Sequence, residues 1–194
     1  MNLDAYNRIK RSFDIFMAVV LLLFLFAPCL IIAISIKLSS AGPVIFWSVR
    51  VGRRGEKFKM PKFRTMQETT PVIATHLLGD ASSFLTPLGS FLRKTSLDEL
   101  PQLWSILIGD MSFVGPRPAL FNQHDLIALR SKYRIDRLRP GLTGWAQING
   151  RDDLSIPIKV FYDLEYAKKQ SFLFDAKIIV LTFSRVISRN GVAH

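Results

Sequence analysis

The sequence has only one cysteine and three histidines among its 194 residues. One cysteine excludes a disulfide framework and any zinc site built from several cysteines. Acidic residues are also few, since 15 Asp and Glu stand against 26 Lys and Arg, and the formal net charge is +11. This imbalance predicts an anionic partner, which could be nucleic acid, a lipid headgroup or a phosphorylated substrate.

Three common catalytic motifs are missing as well. The chain contains no Gly-x-x-x-x-Gly-Lys-Ser/Thr phosphate loop, no Gly-x-Gly-x-x-Gly dinucleotide fingerprint and no Gly-x-Ser-x-Gly nucleophile elbow. Apolar residues nevertheless make up 49% of the sequence, which excludes a disordered chain. The length is sufficient for one domain with a hydrophobic core.

What the sequence does have is a long apolar segment near its N-terminus. The 22 residues Ile15–Ile36 carry no charge and would form a helix of roughly 33 Å, enough to cross a bilayer. Pro28 is expected to kink or break this helix. Basic residues flank the segment on both sides, whereas a spanning helix normally has them on one side. These observations support a spanning helix and a re-entrant hairpin equally.

Positive charge is concentrated immediately after this segment. Residues Arg50–Arg64 carry seven basic side chains and one acid, which is +6 of the total +11. Lys and Arg beside a membrane segment attract anionic lipid, so we expect anionic membrane lipid as a partner. The same position argues against nucleic acid, which would require the basic stretch on a soluble reading surface.

The pattern of apolar and turn residues predicts an α/β fold that is predominantly helical. A β-hairpin is expected from residues 42–47 and 57–63, joined by a turn at 52–55. Helices are expected over residues 87–94, 97–108, 122–132, 157–169 and 172–188, and the last two have apolar faces suited to a core or a membrane interface. Loops are expected over residues 67–87, 109–118 and 139–151.

Asp98 and Glu99 are the strongest candidates for chemistry. Ser96 and Glu99 have the Ser-x-x-Glu spacing of a capping box, which would place both acids in the first turn of a helix. Acids at that position often only complement the helix dipole. Here, however, Arg93 lies just upstream and Arg117 just downstream, and a helix N-terminus with two arginines predicts an anion site.

Two adjacent carboxylates in such a field are expected to stay ionised and to take different roles. One could hold a divalent metal, while the other, with a low pKa, could act as a nucleophile toward phosphorus. Magnesium prefers oxygen ligands and binds together with substrate phosphates. The pair therefore predicts phosphoryl-group chemistry at a membrane surface.

Several blocks of the sequence together resemble one known family. They are Lys10–Asp14, Lys62–Met66, Leu92–Leu103, Val114–Pro118 and Arg139–Gln147. Over about residues 8–187 the chain resembles the bacterial sugar transferases of the monotopic phosphoglycosyl transferase family, which are polyprenyl-phosphate hexose-1-phosphate transferases. Its length is similar to their small, minimal form. The family's re-entrant membrane helix breaks at a proline, which matches Pro28 and favours the re-entrant alternative.

The resemblance implies a specific reaction at the cytoplasmic face of the bacterial inner membrane. Family members transfer a sugar-1-phosphate from a UDP-sugar to undecaprenyl phosphate and release UMP. This is the first membrane step in assembling O-antigen, capsule, exopolysaccharide or glycoprotein glycans, and downstream glycosyltransferases are expected partners. By the same resemblance Asp98 would be the nucleophile that forms a covalent phosphosugar-aspartyl intermediate, and Glu99, with Asp98, would bind Mg²⁺.

The resemblance also implies substrate contacts and a division of the chain. Arg93 would bind phosphate, and the segment Pro116, Arg117 and Pro118 would bind the uridine nucleotide. Further substrate-binding candidates are Lys62, Arg64 and Asp163. Residues 1–40 would form the re-entrant membrane segment, and residues 41–194 the catalytic domain. The alternative is a non-catalytic, basic scaffold associated with the membrane.

Overall fold

The computed structural model describes residues 3–71, 81–150 and 153–188. The helices are α1 (Leu3–Phe24), α2 (Phe26–Ser39), α3 (Gly89–Lys94), α4 (Gln102–Ile108), α5 (His124–Lys132), α6 (Trp145–Ile148), α7 (Ile156–Lys169) and α8 (Phe172–Ser188). The strands are β1 (Ile45–Val51), β2 (Lys57–Phe63), β3 (Ser112–Val114), β4 (Ala119–Leu120) and β5 (Gly141–Thr143). This confirms the α/β, predominantly helical class. Parts of the predicted loops at 67–87 and 139–151 lie outside the described residues.

The apolar segment is divided into two helices that meet at a bend of 60°. Helix α1 ends at Phe24 and α2 begins at Phe26, so Pro28 lies in the first turn of α2 and not at the break itself. Pro28 still explains the break, because it has no N–H for the carbonyl of Phe24 and its ring would clash with that carbonyl. The helical pattern resumes when Cys29 donates to the carbonyl of Leu25 at 2.9 Å.

Neither helix of this pair meets the length and hydropathy expected of a membrane span. In the described ranges no single helix does so, whereas α1 and α2 together have sufficient length and apolar character.

Helix α1 packs against α4 along one face, from Arg11 near its start to the residues next to the break. Ala18 is fully buried in one cluster with Ile106 of α4. Arg11 donates to the carbonyls of Ile106 and Leu107 at 2.6 and 2.8 Å. These carbonyls belong to the last turn of α4, where no intrahelical donor is available. The N-terminal helix therefore shares a core with α4, which follows the acid pair in the chain.

The predicted hairpin is present, with a longer first strand than expected. Strands β1 and β2 pair antiparallel from Ile45 with Phe63 to Val51 with Lys57, and β4 pairs with the other edge of β1. The first strand thus occupies 45–51 and not 42–47, since its pairing with β2 continues to the turn. At the turn Arg54 adopts a left-handed conformation with φ 59°.

The segments predicted as loops at 109–118 and 139–151 contain β3, β5 and α6. Strands β3 and β5 pair in parallel, and Gly115 donates to the carbonyl of Thr143 at 2.9 Å. This pairing requires a close approach of two backbones, because a Cβ on Gly141 would lie 2.1 Å from the nitrogen of Gly115. The prediction of loops was wrong here because the pairing partners are distant in sequence, so local turn residues conceal the strands.

Candidate active site

The acid pair lies in a single 3₁₀ turn, Leu97–Glu99, between α3 and α4. The prediction of one helix over 97–108 was wrong, because α4 begins only at Gln102, after Pro101. Proline has no N–H with which to continue a helix from the preceding turn. The capping box is absent too, since the side chain of Ser96 makes no capping hydrogen bond and its backbone is left-handed, with φ 56°.

Lys62 connects strand β2 to both acids. Its Nζ lies 2.8 Å from Oε1 of Glu99 and 3.6 Å from Oδ2 of Asp98. Arg117 donates from Nη2 to the same Glu99 oxygen at 3.3 Å. Asp98 and Glu99 are 7 and 9% exposed. The structure therefore brings together four predicted site residues from distant parts of the chain, two buried acids and two partly exposed cations.

Burial raises the pKa of Asp98 above its ordinary value. The charge of Lys62 opposes this effect, Glu99 adds to it, and Arg93 and Arg117 lower the pKa to a smaller extent. The expectation of a low pKa for this carboxylate was therefore wrong. The cations were foreseen, but the removal of water from the carboxylate outweighs them.

The segment Pro116–Pro118 is held by backbone contacts on two sides. The carbonyl of Pro116 accepts from the nitrogen of Gly141 at 2.9 Å, and the carbonyl of Pro118 accepts from Arg50 Nη1 at 3.3 Å. Both prolines border a cavity of about 120 Å³ that also touches the hairpin turn. The segment is thus fixed while the Arg117 side chain contacts Glu99. Binding of the uridine nucleotide here stays a prediction.

Asp163 is connected to the acid pair indirectly, through Arg130 and Arg117. It is 1% exposed, and its Oδ2 accepts from Nε and Nη2 of Arg130 at 2.9 and 2.6 Å. Arg130 Nη1 donates in turn to the backbone carbonyl of Arg117 at 2.7 Å. These contacts support the position of Arg117, and direct contact of Asp163 with substrate stays a prediction.

Arg130 is a residue of this network that no sequence pattern predicted. It lies in the last turn of α5, where a basic side chain is common because it complements the helix dipole. Its link to Asp163 of α7 is tertiary. A buried acid requires a partner, but only the structure shows that Asp163 is buried.

Arg64 makes its described side-chain contacts outside this cluster. Its Nη2 donates to the carbonyl and hydroxyl oxygens of Ser40 at 2.9 and 2.7 Å, and Glu68 is its ion-pair partner at 4.0 Å. Arg93, in the last turn of α3, acts on Asp98 through its charge. The described contacts therefore bring Lys62 and Arg117 to the acids, while those of Arg64 are made elsewhere.

Asp98 and Glu99 are the residues available for the expected Mg²⁺. Within residues 3–71, 81–150 and 153–188, no three His, Cys, Asp or Glu side chains form a complete metal site. Magnesium, however, usually takes one or two carboxylates and completes its shell with water and substrate phosphates. Two adjacent buried acids therefore fit a magnesium ion that binds together with a diphosphate.

The chain matches the family model described as bacterial sugar transferase over residues 5–189. It is 43% identical over 190 residues to UDP-glucose:undecaprenyl-phosphate glucose-1-phosphate transferase of Escherichia coli (strain K12), covering 93% of this chain and 40% of the relative. It is 40% identical over 184 residues to an uncharacterised sugar transferase of Bacillus subtilis (strain 168), covering 95% and 90%. It is 36% identical over 197 residues to an exopolysaccharide production protein of Sinorhizobium fredii (strain NBRC 101917 / NGR234), covering 94% and 87%.

The chain thus spans less than half of the E. coli relative and most of the other two. The family match includes nearly every residue of this chain, among them the acid pair, Lys62 and Arg117. The chain therefore belongs to the bacterial sugar transferase family, of the phosphoglycosyl transferase type.

Proposed function

We propose that this protein transfers a sugar-1-phosphate from a UDP-sugar to undecaprenyl phosphate and releases UMP. The observation that carries the proposal is the buried acid pair, with Lys62 and Arg117 in contact with it. The name of the E. coli relative supports the same substrates. The name of the S. fredii relative supports a role in exopolysaccharide production.

In the first proposed step, an ionised oxygen of Asp98 attacks the phosphorus that bears the sugar. A new bond forms between this oxygen and phosphorus, and the bond from phosphorus to the bridging oxygen of the diphosphate breaks. UMP leaves with the electron pair, and the sugar phosphate stays on Asp98 as an acyl phosphate. No proton transfer is required, because the attacking and leaving groups are both anionic oxygens.

In the second step, a phosphate oxygen of undecaprenyl phosphate attacks the same phosphorus. The bond between phosphorus and Asp98 breaks, which regenerates the carboxylate and gives the lipid diphosphate sugar. Because the same carboxylate is used and restored, the route is of the ping-pong type.

The cations of the cluster would stabilise the charge that moves between these oxygens. Lys62 contacts both acids, and Arg117 contacts the same Glu99 oxygen as Lys62 does. Preorganised cations in a water-poor site act strongly on developing charge. Asp98 and Glu99 would hold Mg²⁺, which when bound neutralises part of the diphosphate charge. Glu99, which contacts both Lys62 and Arg117, would keep these two side chains in place while Asp98 reacts.

We also propose that α1 and α2 enter the cytoplasmic face of the bacterial inner membrane as a re-entrant pair. At the break, Leu23, Phe24 and Phe26 are 75, 78 and 67% exposed, as expected for the tip of a hairpin that contacts lipid. Basic residues flank both outer ends, which agrees with two ends on the cytoplasmic side. Anionic lipid would neutralise these flanks.

UMP release is the direct test of this function. The protein, in nanodiscs with undecaprenyl phosphate and Mg²⁺, is incubated with a panel of UDP-sugars, and UMP is measured. We expect release with at least one UDP-sugar, its loss in Asp98→Asn, and its retention in Asp125→Asn, which changes an exposed acid on α5. A non-catalytic scaffold would release no UMP with any sugar.

The covalent intermediate requires a separate experiment. A UDP-sugar labelled in its sugar is added without lipid acceptor, and protein-bound label is measured after rapid quenching. We expect label on the wild type and none on Asp98→Asn, and the label should be discharged when undecaprenyl phosphate is added. UMP release with both substrates, but no label at any time, would support a direct transfer instead.

A further inference from the structure

A second cavity is lined by Arg64 and does not include either residue of the acid pair in its lining. It has a volume of about 350 Å³, and its polar lining includes Ser40, Arg64, Gln67, Glu68 and Thr86. Ser40 comes immediately after α2, so the cavity lies where the chain leaves the apolar helix pair. This places a polar pocket beside the segment proposed to enter the membrane.

Arg64 has more donors than the described contacts satisfy. The side chain is 4% exposed, and only Nη2 donates to Ser40. Its Nε and Nη1 are buried without a hydrogen-bond partner. Oε1 of Glu68 is 4.0 Å from Nη1, which is too long for a hydrogen bond. A buried charged donor without an acceptor is unfavourable. An anion that entered the cavity would supply acceptors for these two nitrogens.

We propose that this cavity is a second phosphate site, separate from the acid pair. The guanidinium is the side chain that proteins use most effectively for phosphate. The hydroxyl of Thr86 and the amide of Gln67 are additional polar groups in the lining. The ligand is a phosphate group, either on a membrane lipid or free in solution. Phosphate binding at this site can be measured without turnover, so it is tested independently of the transfer reaction at Asp98.

Glu68 regulates the affinity of this site by its charge. Its side chain is 64% exposed, so it can move away into water when an anion enters. While it remains near, its negative charge repels the ligand. Removing this carboxylate should therefore strengthen phosphate binding, and removing Arg64 should weaken it. Because Glu68 is exposed, its substitution leaves the packing of the cavity intact.

The test measures binding of inorganic phosphate to the full chain in micelles of a non-ionic detergent that carries no phosphate group. The dissociation constant is obtained from the change in Tm with phosphate concentration. We expect Glu68→Gln to tighten binding several-fold and Arg64→Gln to weaken it about tenfold, the size of one charge-assisted hydrogen bond. The matched controls Glu56→Gln and Lys59→Gln, which change exposed charges of the hairpin, should leave the constant unchanged.

Two further arms complete the experiment. The titration is repeated with Asp98→Asn as the background. Arg64→Gln should weaken phosphate binding by the same factor in this background as in the wild type, which shows that the site is separate from the acid pair. Binding to vesicles with and without phosphatidylglycerol identifies the source. A lipid headgroup is the ligand if Glu68→Gln increases only the phosphatidylglycerol-dependent binding. Equal phosphate affinity in Glu68→Gln and Glu56→Gln would overturn the proposal, even if Arg64→Gln fails to fold.

Discussion

The ammonium group of Lys62 lies 2.8 Å from Oε1 of Glu99 and joins the edge strand of the hairpin to the acid pair. The same group is 3.6 Å from Asp98, so one cation serves two buried carboxylates. Charges in a site with little water interact more strongly than charges on the surface. The ionisation of Asp98 therefore depends on a residue from a different element of the fold.

Replacing Lys62 by Met should move the acid limb of the pH–rate profile to higher pH. The attacking carboxylate must be ionised, so the rate falls as pH decreases through its pKa. Burial already raises this pKa, and Lys62 is the main group that lowers it, so its loss raises the pKa further. The measurement is kcat/KM for UMP release against pH. Lys59→Met, at an exposed position of β2, should leave the profile in place, and an unchanged profile in Lys62→Met would contradict this account.

Asp98→Asn should stabilise the protein at neutral pH while it reduces UMP release by roughly 10³-fold or more. The raised pKa of Asp98 means that the folded state binds the proton more tightly than the unfolded state. The wild type therefore loses stability as pH rises from the ordinary pKa through the raised one. The gain in Tm should be present at neutral pH and absent in acid, and Asp125→Asn is the control. A lower Tm for Asp98→Asn at neutral pH would show that attraction to the neighbouring cations outweighs the effect of burial on Asp98.

Asp163→Leu should destabilise the protein by about 3–5 kcal/mol, since it leaves the buried guanidinium of Arg130 without its acid. Arg130 also holds the carbonyl of Arg117, so KM for the UDP-sugar should rise more than kcat falls. The free energy of unfolding and both kinetic constants are measured. Adding Arg130→Met to this variant should recover part of the stability, because the unpaired charge is then removed. If the loss of unfolding free energy in the double variant equals the sum of the losses in the two single variants, Asp163 and Arg130 are not coupled.

Gly141→Ala should destabilise the unit that holds the Pro116–Pro118 segment. The new Cβ would lie 2.1 Å from the nitrogen of Gly115 and 2.3 Å from the carbonyl oxygen of Thr143. Both are backbone atoms of a parallel strand pair, so we expect a loss of about 3 kcal/mol in the free energy of unfolding. Gly55→Asn is the control, because its φ is 78° and a Cβ there meets no atom within 4 Å, while Asn tolerates that conformation.

The two outer ends of the α1–α2 pair should be accessible from the same side of the membrane. With Cys29→Ala as background, single cysteines are introduced at Asn7 and Leu38, both at exposed positions. In sealed inside-out vesicles, both should react with a thiol reagent that does not cross the membrane. Reaction at only one of the two positions would indicate a spanning helix. Pro28→Ala should favour that outcome, because it restores the donor for the carbonyl of Phe24.

Local elements were predicted well where a periodic pattern or a turn defined them. Helix α8 occupies residues 172–188 as expected, α7 begins one residue early, and the turn at 52–55 joins the hairpin. The capping box at Ser96 was a false prediction, because the same spacing occurs in a turn with a left-handed residue. The parallel pair β3 and β5 was missed, since neither strand is longer than three residues.

The sequence by itself determined which residues could act on phosphate and that an apolar segment interrupted by a proline precedes them. These properties follow from residue types and local spacing. Only the tertiary structure decided that Lys62 serves both acids, that Arg64 faces another cavity and that Asp163 acts on Arg117 through Arg130. It also decided the direction of the pKa of Asp98, because the loss of water around a carboxylate depends on the chain segments that cover it.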